Sequence, residues 1–403
     1  MQINVALEQG TLNLTIESGT HSPDELFGFA QRRNPKRAFL FVSKVLGRHI
    51  PVSPAVMRNA TDTLAAQIPA DLPGPVVVIG MAETAIALGA GVQQALSRSR
   101  DDTLYLCTTR HPLDLPILVE FREEHSHATQ QVLHLPQHAA DVELLRTARS
   151  LVLVDDEAST GKTFANLLEA LQRAGLDQFE HIVAATLTDW SGGAAAERLG
   201  ERAIAVSLLS GRWDWQANDA PPPEMPQVDV LGTGEWHANP ANDWGRLGVR
   251  EHPTPEKKPL PNPPLIREGS KKDIATTSCP SPDKGRLGGV SFFNNINVAP
   301  GERILVLGTG EFVWPPFLLA EYLEQQGATV HFSATTRSPI ALGHSIQHRY
   351  CLHDNYGQGI PNFLYNVVPE NYDRILLCSE PPAHLLDKEL ITALNPTCLE
   401  FYP

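Results

Sequence analysis

The string LVLVDDEASTGKT at 151–163 gathers the residues best suited to chemistry. An apolar run that reads as a buried strand ends in two adjacent carboxylates, Asp155 and Asp156. It then turns through small residues and enters a helix at or near Thr163. In such a strand–turn–helix the backbone N–H groups converge at the helix N-terminus. With the hydroxyls of Ser159, Thr160 and Thr163 they make a receptor for one phosphate. A triphosphate loop needs glycine five residues before the glycine of the Gly-Lys pair. That position is Asp156, so spacing excludes this reading. Carboxylates beside a phosphate nest repel a bare anion, but they suit a ligand that carries hydroxyls or a metal next to its phosphate. The alternative is a well-capped helix with no ligand.

These residues need a scaffold, and the first 210 residues change period as an α/β domain does. Short apolar runs stand at 38–42, 75–80, 103–107, 151–154, 181–187 and 203–208. Helix-like stretches lie between them, including 53–68 (with Ser53 and Pro54 as cap and first-turn residue), 83–97 and 163–175. Uninterrupted apolar strands alternating with amphipathic helices predict a mostly parallel sheet flanked by helices. The first 19 residues alternate in polarity and read as a hairpin. At 77–85, VVIGMAETA is a strand followed by a tight turn of small residues. Thr108, Thr109 and Arg110 follow another strand, and a polar run, FREEHSHATQQ, occupies 121–131. Glu123, Glu124, His125 and His127 make that run either a solvated loop or a loop on which something polar docks; no further ligand spacing supports zinc.

The 13-residue string resembles the phosphoribosyl pyrophosphate (PRPP) loop of type I phosphoribosyltransferases. The resemblance implies that Asp155 and Asp156 hold the ribose 2′- and 3′-hydroxyls. It implies that Ala158, Ser159, Thr160, Gly161, Lys162 and Thr163 cradle the 5′-phosphate. Met81, Ala82, Glu83 and Thr84 would meet the pyrophosphate through backbone N–H groups, with Arg110 nearby. A mobile loop over 118–130, carrying Glu124 and His125 as catalytic candidates, would close over the reaction. Mg²⁺ would sit near Asp155 and Asp156, the acceptor would be a base-like nitrogen nucleophile, and a homodimer is the default assembly. The strings EEHSHAT, NPKRAFLFVSKVLGRHIPV (34–52) and TTRSPI (335–340) resemble a narrower group. These are orotate-phosphoribosyltransferase-like proteins of bacterial tellurite-resistance-associated gene clusters, which end in a TRSP domain. This implies a biosynthetic transferase; the rival is a PRPP-sensing regulator that does not catalyse.

The rest of the chain frames these motifs. Forty-six acidic against 32 basic residues give a net charge of −14, which argues against bulk nucleic acid as a partner. The five cysteines include no CxxC pair, against both a disulfide framework and a zinc ribbon. No apolar run is long enough for a membrane span and no leader pattern opens the sequence, so a cytoplasmic protein is expected. The organisation expected is a phosphoribosyltransferase domain at 1–217, a Pro-rich, largely disordered linker or insertion at 218–298, and a smaller α/β domain at 299–403. The linker contains the related pieces GRLGV (245–249) and GRLGG (285–289), and LGTGE occurs at 231–235 and again at 307–311. The second copy, within ILVLGTGEF, has half of a dinucleotide fingerprint but lacks its third glycine. Thr335, Thr336, Arg337 and Ser338 follow a strand and form a candidate anion site. His344, His348 and His353 could share one helix face or be packed or solvated separately, and 353–366 reads as a shaped loop. This domain could also be a second enzyme acting on the ribosylated product.

Overall fold

The computed structural model describes residues 1–34, 37–122, 130–226, 236, 244–252, 277–278 and 296–401. In chain order the first domain holds strands β1 (Gln2–Leu7), β2 (Gly10–Gly19), β3 (Phe27–Gln31), β4 (Phe39–Ser43), β5 (Val76–Gly80) and β6 (Thr103–Cys107). Strands β7 (Ile117–Arg122), β8 (Gln130–His134), β9 (Ser150–Ala158), β10 (His181–Asp189) and β11 (Ala203–Ala217) complete it. Its helices are α1 (Pro23–Leu26), α2 (Pro54–Ala65), α3 (Ile86–Leu96), α4 (Ala139–Thr147), α5 (Lys162–Arg173) and α6 (Ala194–Leu199).

Seven strands form one sheet in the order β1-β2-β11-β10-β9-β5-β6. From β11 to β6 all neighbours are parallel, and the β1–β2 hairpin adds to β11 antiparallel. The central strands are apolar at nearly every position because helices cover both faces, which is why they read as unbroken hydrophobic runs. Ser53 caps α2, its Oγ accepting from the Val56 N–H at 3.4 Å, and Pro54 opens the helix.

Two hairpins stand outside the sheet, β3 with β4 and β7 with β8. The first is fastened by aromatic rings: Phe41 stacks on Trp190 at 4.7 Å, and Phe39 meets Trp213 edge-on at 5.0 Å. Residues 123–129, between the two strands of the second hairpin, lie outside the described residues, and Glu124 and His125 with them.

The C-terminal domain has a parallel sheet of β13 (Arg303–Gly308), β14 (Thr329–Ala334), β17 (Arg374–Ser379) and β18 (Thr397–Glu400), with β12 (Thr277–Ser278) at its edge. Strands β15 (Arg349–Leu352) and β16 (Asn362–Tyr365) form a separate hairpin. Helix α7 (Trp314–Gln325) follows β13, and α8 (Lys388–Leu394) precedes β18. The two domains share one hydrophobic core: Val306, Phe317, Leu319 and Phe332 belong to the same buried cluster as Val78 and Leu88. Polar links cross the same seam. Arg58 of α2 donates two hydrogen bonds of 2.7 Å to the Glu321 carboxylate of α7. Val52 and Phe332 exchange backbone hydrogen bonds of 3.0 and 2.7 Å.

One expectation needs correction, and one open alternative is decided. Within 218–298, where the composition predicts a largely disordered linker, residues 244–252 are built into the fold. The Tyr105 and Val249 backbones pair at 2.8 and 2.9 Å, so GRLGV lies along β6, and Arg246 forms a buried salt bridge with Glu380 of the second domain. GRLGG at 285–289 and the first LGTGE lie outside the described residues. The three histidines do not share a helix. His344 has a positive φ of 52° in a turn, His348 immediately precedes β15, and His353 is hydrogen-bonded through Nδ1 to Asp387 at 2.7 Å.

Candidate active site

Strand β9 runs straight into the motif. Its C-terminal end presents Asp155, Asp156 and Glu157, and the turn 159–161 leads into α5. Gly161 is the residue that makes this turn possible. It has φ +72°, and a Cβ there would stand 2.5 Å from the Ala195 Cα, so both its backbone conformation and its contact with α6 exclude a side chain. The Thr160 hydroxyl accepts from the Lys162 N–H at 3.4 Å, and Arg198 Nε donates to the Thr160 carbonyl at 2.8 Å, tying the loop to α6. Gly161→Val is expected to lower stability by ~2 kcal/mol or more through αL strain and overpacking. A thermal melt checks this, and ribose 5-phosphate affinity should fall with it.

The three acids do not play one role. Glu157 is spent on Arg37, whose guanidinium lies 2.7 Å from its carboxylate and also packs over Phe39, Phe41 and Trp213. This pair fixes the β3–β4 hairpin above the strand end. Asp155 and Asp156 line the cavity below it, with Asp155 Oδ1 accepting from the Asp156 N–H at 2.9 Å.

That cavity, about 770 Å³, has the volume of a small-molecule site. Asp155 to Thr163, Ala82, Glu83, Thr84 and Arg110 all line it, and so do Thr336, Arg337 and Ser338 from the C-terminal domain. Two segments about 180 residues apart in sequence, expected as separate anion sites, therefore form walls of one chamber. Thr335 stands behind the wall, its Oγ1 accepting from the Gly310 N–H at 2.8 Å.

The turn after β5 differs from expectation in one respect. The Met81 N–H donates to the Val154 carbonyl at 2.9 Å, and the Ala82 N–H donates to Thr108 Oγ1 at 2.8 Å. These two donors hold the turn against β9 and the β6 loop, so they do not serve a ligand. Glu83 and Thr84 remain on the cavity wall, and the Ala82–Glu83 peptide is cis.

Glu83 is only 7% exposed and sits among cations. Arg48 Nη1 is 3.2 Å from it and Arg110 Nη1 is 3.8 Å away. Burial pushes its carboxyl up, but Arg48, Arg110, Arg337 and the Thr336 hydroxyl together hold it below the ordinary carboxylate range. Arg48, 3% exposed, also donates to the carbonyls of Glu83 (2.9 Å), Gly310 (2.5 Å) and Thr335 (2.8 Å). One buried side chain thus joins the turn after β5 to two strand ends of the second domain. Glu311, from the LGTGE copy, completes the joint: its carboxylate accepts from Thr109 Oγ1 at 2.5 Å and from the Arg110 N–H at 2.9 Å. The glycine turn after β13 is in this way an interdomain clamp.

Sequence reasoning missed Arg48, Glu311 and His49. Arg48 and His49 lie in the quoted 34–52 string, but nothing local marks them as buried. His49 lines the cavity, and its two buried ring nitrogens have no hydrogen-bond partner among the described residues. Burial, aided by Arg48, pushes its pKa down to about 4, so the ring is neutral at pH 7.

Among the described residues no group of three or more His, Cys, Asp and Glu side chains is placed to hold a metal ion. The donor set fits Mg²⁺, which takes one or two carboxylates and completes its shell with water and substrate phosphates. Among the same residues no helix is long and apolar enough to cross a membrane.

Residues 26–212 match the family described as phosphoribosyl transferase, and residues 291–394 match the TRSP domain that lies C-terminal to it. Similar solved structures include adenine phosphoribosyltransferase from Rhodothermus marinus, at 17% identity over 46% of this chain and 94% of that one, with TM-score 0.32. The adenine phosphoribosyl transferase of Trypanosoma brucei, in complex with AMP, pyrophosphate and ribose-5-phosphate, is 12% identical over 47% of this chain and 78% of that one, with TM-score 0.34. Orotate phosphoribosyltransferase from Aeropyrum pernix is 24% identical over 42% and 79%, with TM-score 0.26. No curated protein matches the chain.

Proposed function

We propose that this chain, whose residues 26–212 match the phosphoribosyl transferase family and whose residues 291–394 match the TRSP domain, moves the 5-phosphoribosyl group of PRPP to a nitrogen of a base-like acceptor. The observation that carries this reading is the convergence of Asp155–Thr163, Glu83–Thr84 and Arg110 on one cavity. Asp155 and Asp156 orient the ribose through its hydroxyls. The 158–163 loop binds the 5′-phosphate at the start of α5, where N–H groups and the helix dipole favour an anion.

In the transfer the acceptor nitrogen forms a bond to ribose C1′ as the bond from C1′ to the pyrophosphate oxygen breaks. The electron pair leaves on pyrophosphate, and the acceptor's proton passes to the surroundings. Positive charge grows on the ribose ring in the transition state, and the carboxylates at the end of β9 would stabilise it. Arg110 faces the charge gathering on the leaving group. Asp155 and Asp156 are the residues that would hold Mg²⁺, which when bound offsets the negative charge of pyrophosphate. A biosynthetic role connected with tellurite or other stress extends this reading beyond the site, and the cytoplasm is the compartment it implies.

The test is pyrophosphate release from PRPP with a panel of purines, pyrimidines, nicotinate and imidazole carboxamides. Release that requires at least one of these and stops on adding EDTA is the expected result. EDTA-insensitive release would refute the magnesium part, and PRPP binding with no release for any acceptor would overturn the transferase reading.

A further inference from the structure

The TRSP domain has no role in the reading above, yet it supplies one wall of the cavity. Arg337 is the charged group on that wall. Its Nη2 is 2.6 Å from His111 Nε2 and donates to Gln358 Oε1 at 2.8 Å. Gln358 is uncharged, and His111 is kept neutral by burial together with Arg337, Arg246 and Arg110, which push its pKa well down. Its ring is further held against Tyr356 at 4.1 Å. The guanidinium is therefore positioned by neutral partners, and among the described residues it makes no salt bridge. The carboxylate that feels it, Glu83, is already engaged with Arg48 and Arg110.

A positioned cation whose nearest carboxylate is shared with two other arginines, facing the chamber lined by the 155–163 turn, calls for an anion. The direction is set by its neighbours. Glu83, at the turn after β5, feels Arg337 and accepts from the Thr336 hydroxyl; in the PRPP reading that turn is the leaving-group end, and the ribose and 5′-phosphate belong to the end formed by β9 and α5. The loop carrying Arg337 is also fastened to this end, because Arg48 bonds both the Thr335 and the Glu83 carbonyls.

We propose that Arg337 holds the pyrophosphate of PRPP jointly with Arg110, so that the C-terminal domain is half of the transferase site and not an appended second activity. The inference rests on the PRPP reading. Ser338 lines the same wall beside the guanidinium, while the Thr336 hydroxyl is engaged with the Glu83 carboxylate. The carboxylate of Glu83 acts as the internal anion of this arginine cluster until substrate arrives.

Titration calorimetry on the full chain with Mg²⁺ tests this, using PRPP, pyrophosphate and ribose 5-phosphate as separate probes against wild type and Arg337→Gln. The expected result is that Arg337→Gln weakens PRPP and pyrophosphate by about 10- to 100-fold, the range of a charge-assisted hydrogen bond. Ribose 5-phosphate should stay within about twofold. Arg337→Lys, which keeps the charge, should recover part of the pyrophosphate affinity. Equal weakening of all three probes would mean that Arg337 only supports the fold, and unchanged PRPP affinity would remove it from the site; either outcome overturns the proposal. If wild type binds none of the three, the PRPP reading itself fails and takes this inference with it. If it binds all three but Arg337→Gln does not discriminate among them, only this inference fails.

Discussion

Replacing Asp155 and Asp156 together by Asn is expected to reduce turnover by at least about 10³-fold, the scale of losing both orientation and transition-state charge stabilisation. The fold should survive. Both side chains stand at the end of β9, half-buried on the cavity wall, outside the apolar part of the strand that holds the sheet together. An Asn at 155 keeps an oxygen where Asp155 Oδ1 accepts from the Asp156 N–H. Pyrophosphate release and a thermal melt on the same preparation separate the two effects. An unchanged melting temperature with lost turnover supports the assignment. Full activity in the double variant removes these carboxylates from the mechanism.

Arg48→Met is expected to have the largest effect on stability, about 3 kcal/mol. Deleting one member of a buried ion pair typically costs 3–5 kcal/mol, and Arg110 at 3.8 Å from Glu83 offsets part of that. Three carbonyls, those of Glu83, Gly310 and Thr335, lose a donor at the same time. The pH dependence provides an independent check. In the wild type burial raises the Glu83 pKa but the arginines bring it below the ordinary value, so its ionised form contributes stability above the unfolded pKa and loses it as pH falls. Without Arg48 the burial effect gains ground and the folded pKa rises. Protonation then relieves the buried charge, so the deficit between variant and wild type should narrow from pH 7 to pH 5. Melting curves at the two pH values measure this; a deficit that widens on acidification contradicts the assignment.

What the sequence made legible follows from how local each signal is. The phosphate nest is encoded within 13 consecutive residues, and the central strands announce themselves because burial on both faces demands continuous apolar runs. The Arg48 clamp has no such signature: its acceptors are backbone carbonyls at Glu83, Gly310 and Thr335, and any residue type would provide those. The docking of GRLGV along β6 was hidden for a related reason. Edge pairing uses the backbone, and the flanking prolines gave the whole stretch the composition of a linker. TTRS at 335–338 reads as an anion-binding string, but its chamber depends on a tertiary link that no local pattern encodes, the Arg48 bonds to the Thr335 and Glu83 carbonyls. Of the two arrangements open for His344, His348 and His353, the shared helix face is excluded because Gly343 and His344 take positive φ values of 115° and 52°, which break a helix at its start.

Titration of PRPP into the purified full-length protein, with and without Mg²⁺, tests the central claim most directly. The account predicts one site per chain with micromolar affinity in Mg²⁺, weakened at least about tenfold when the metal is chelated, since the substrate's charge is then met by arginines alone. Absence of PRPP binding in both conditions would contradict it, leaving the turn at 155–163 as a capped helix start and the cavity between the domains as a site for some other anion.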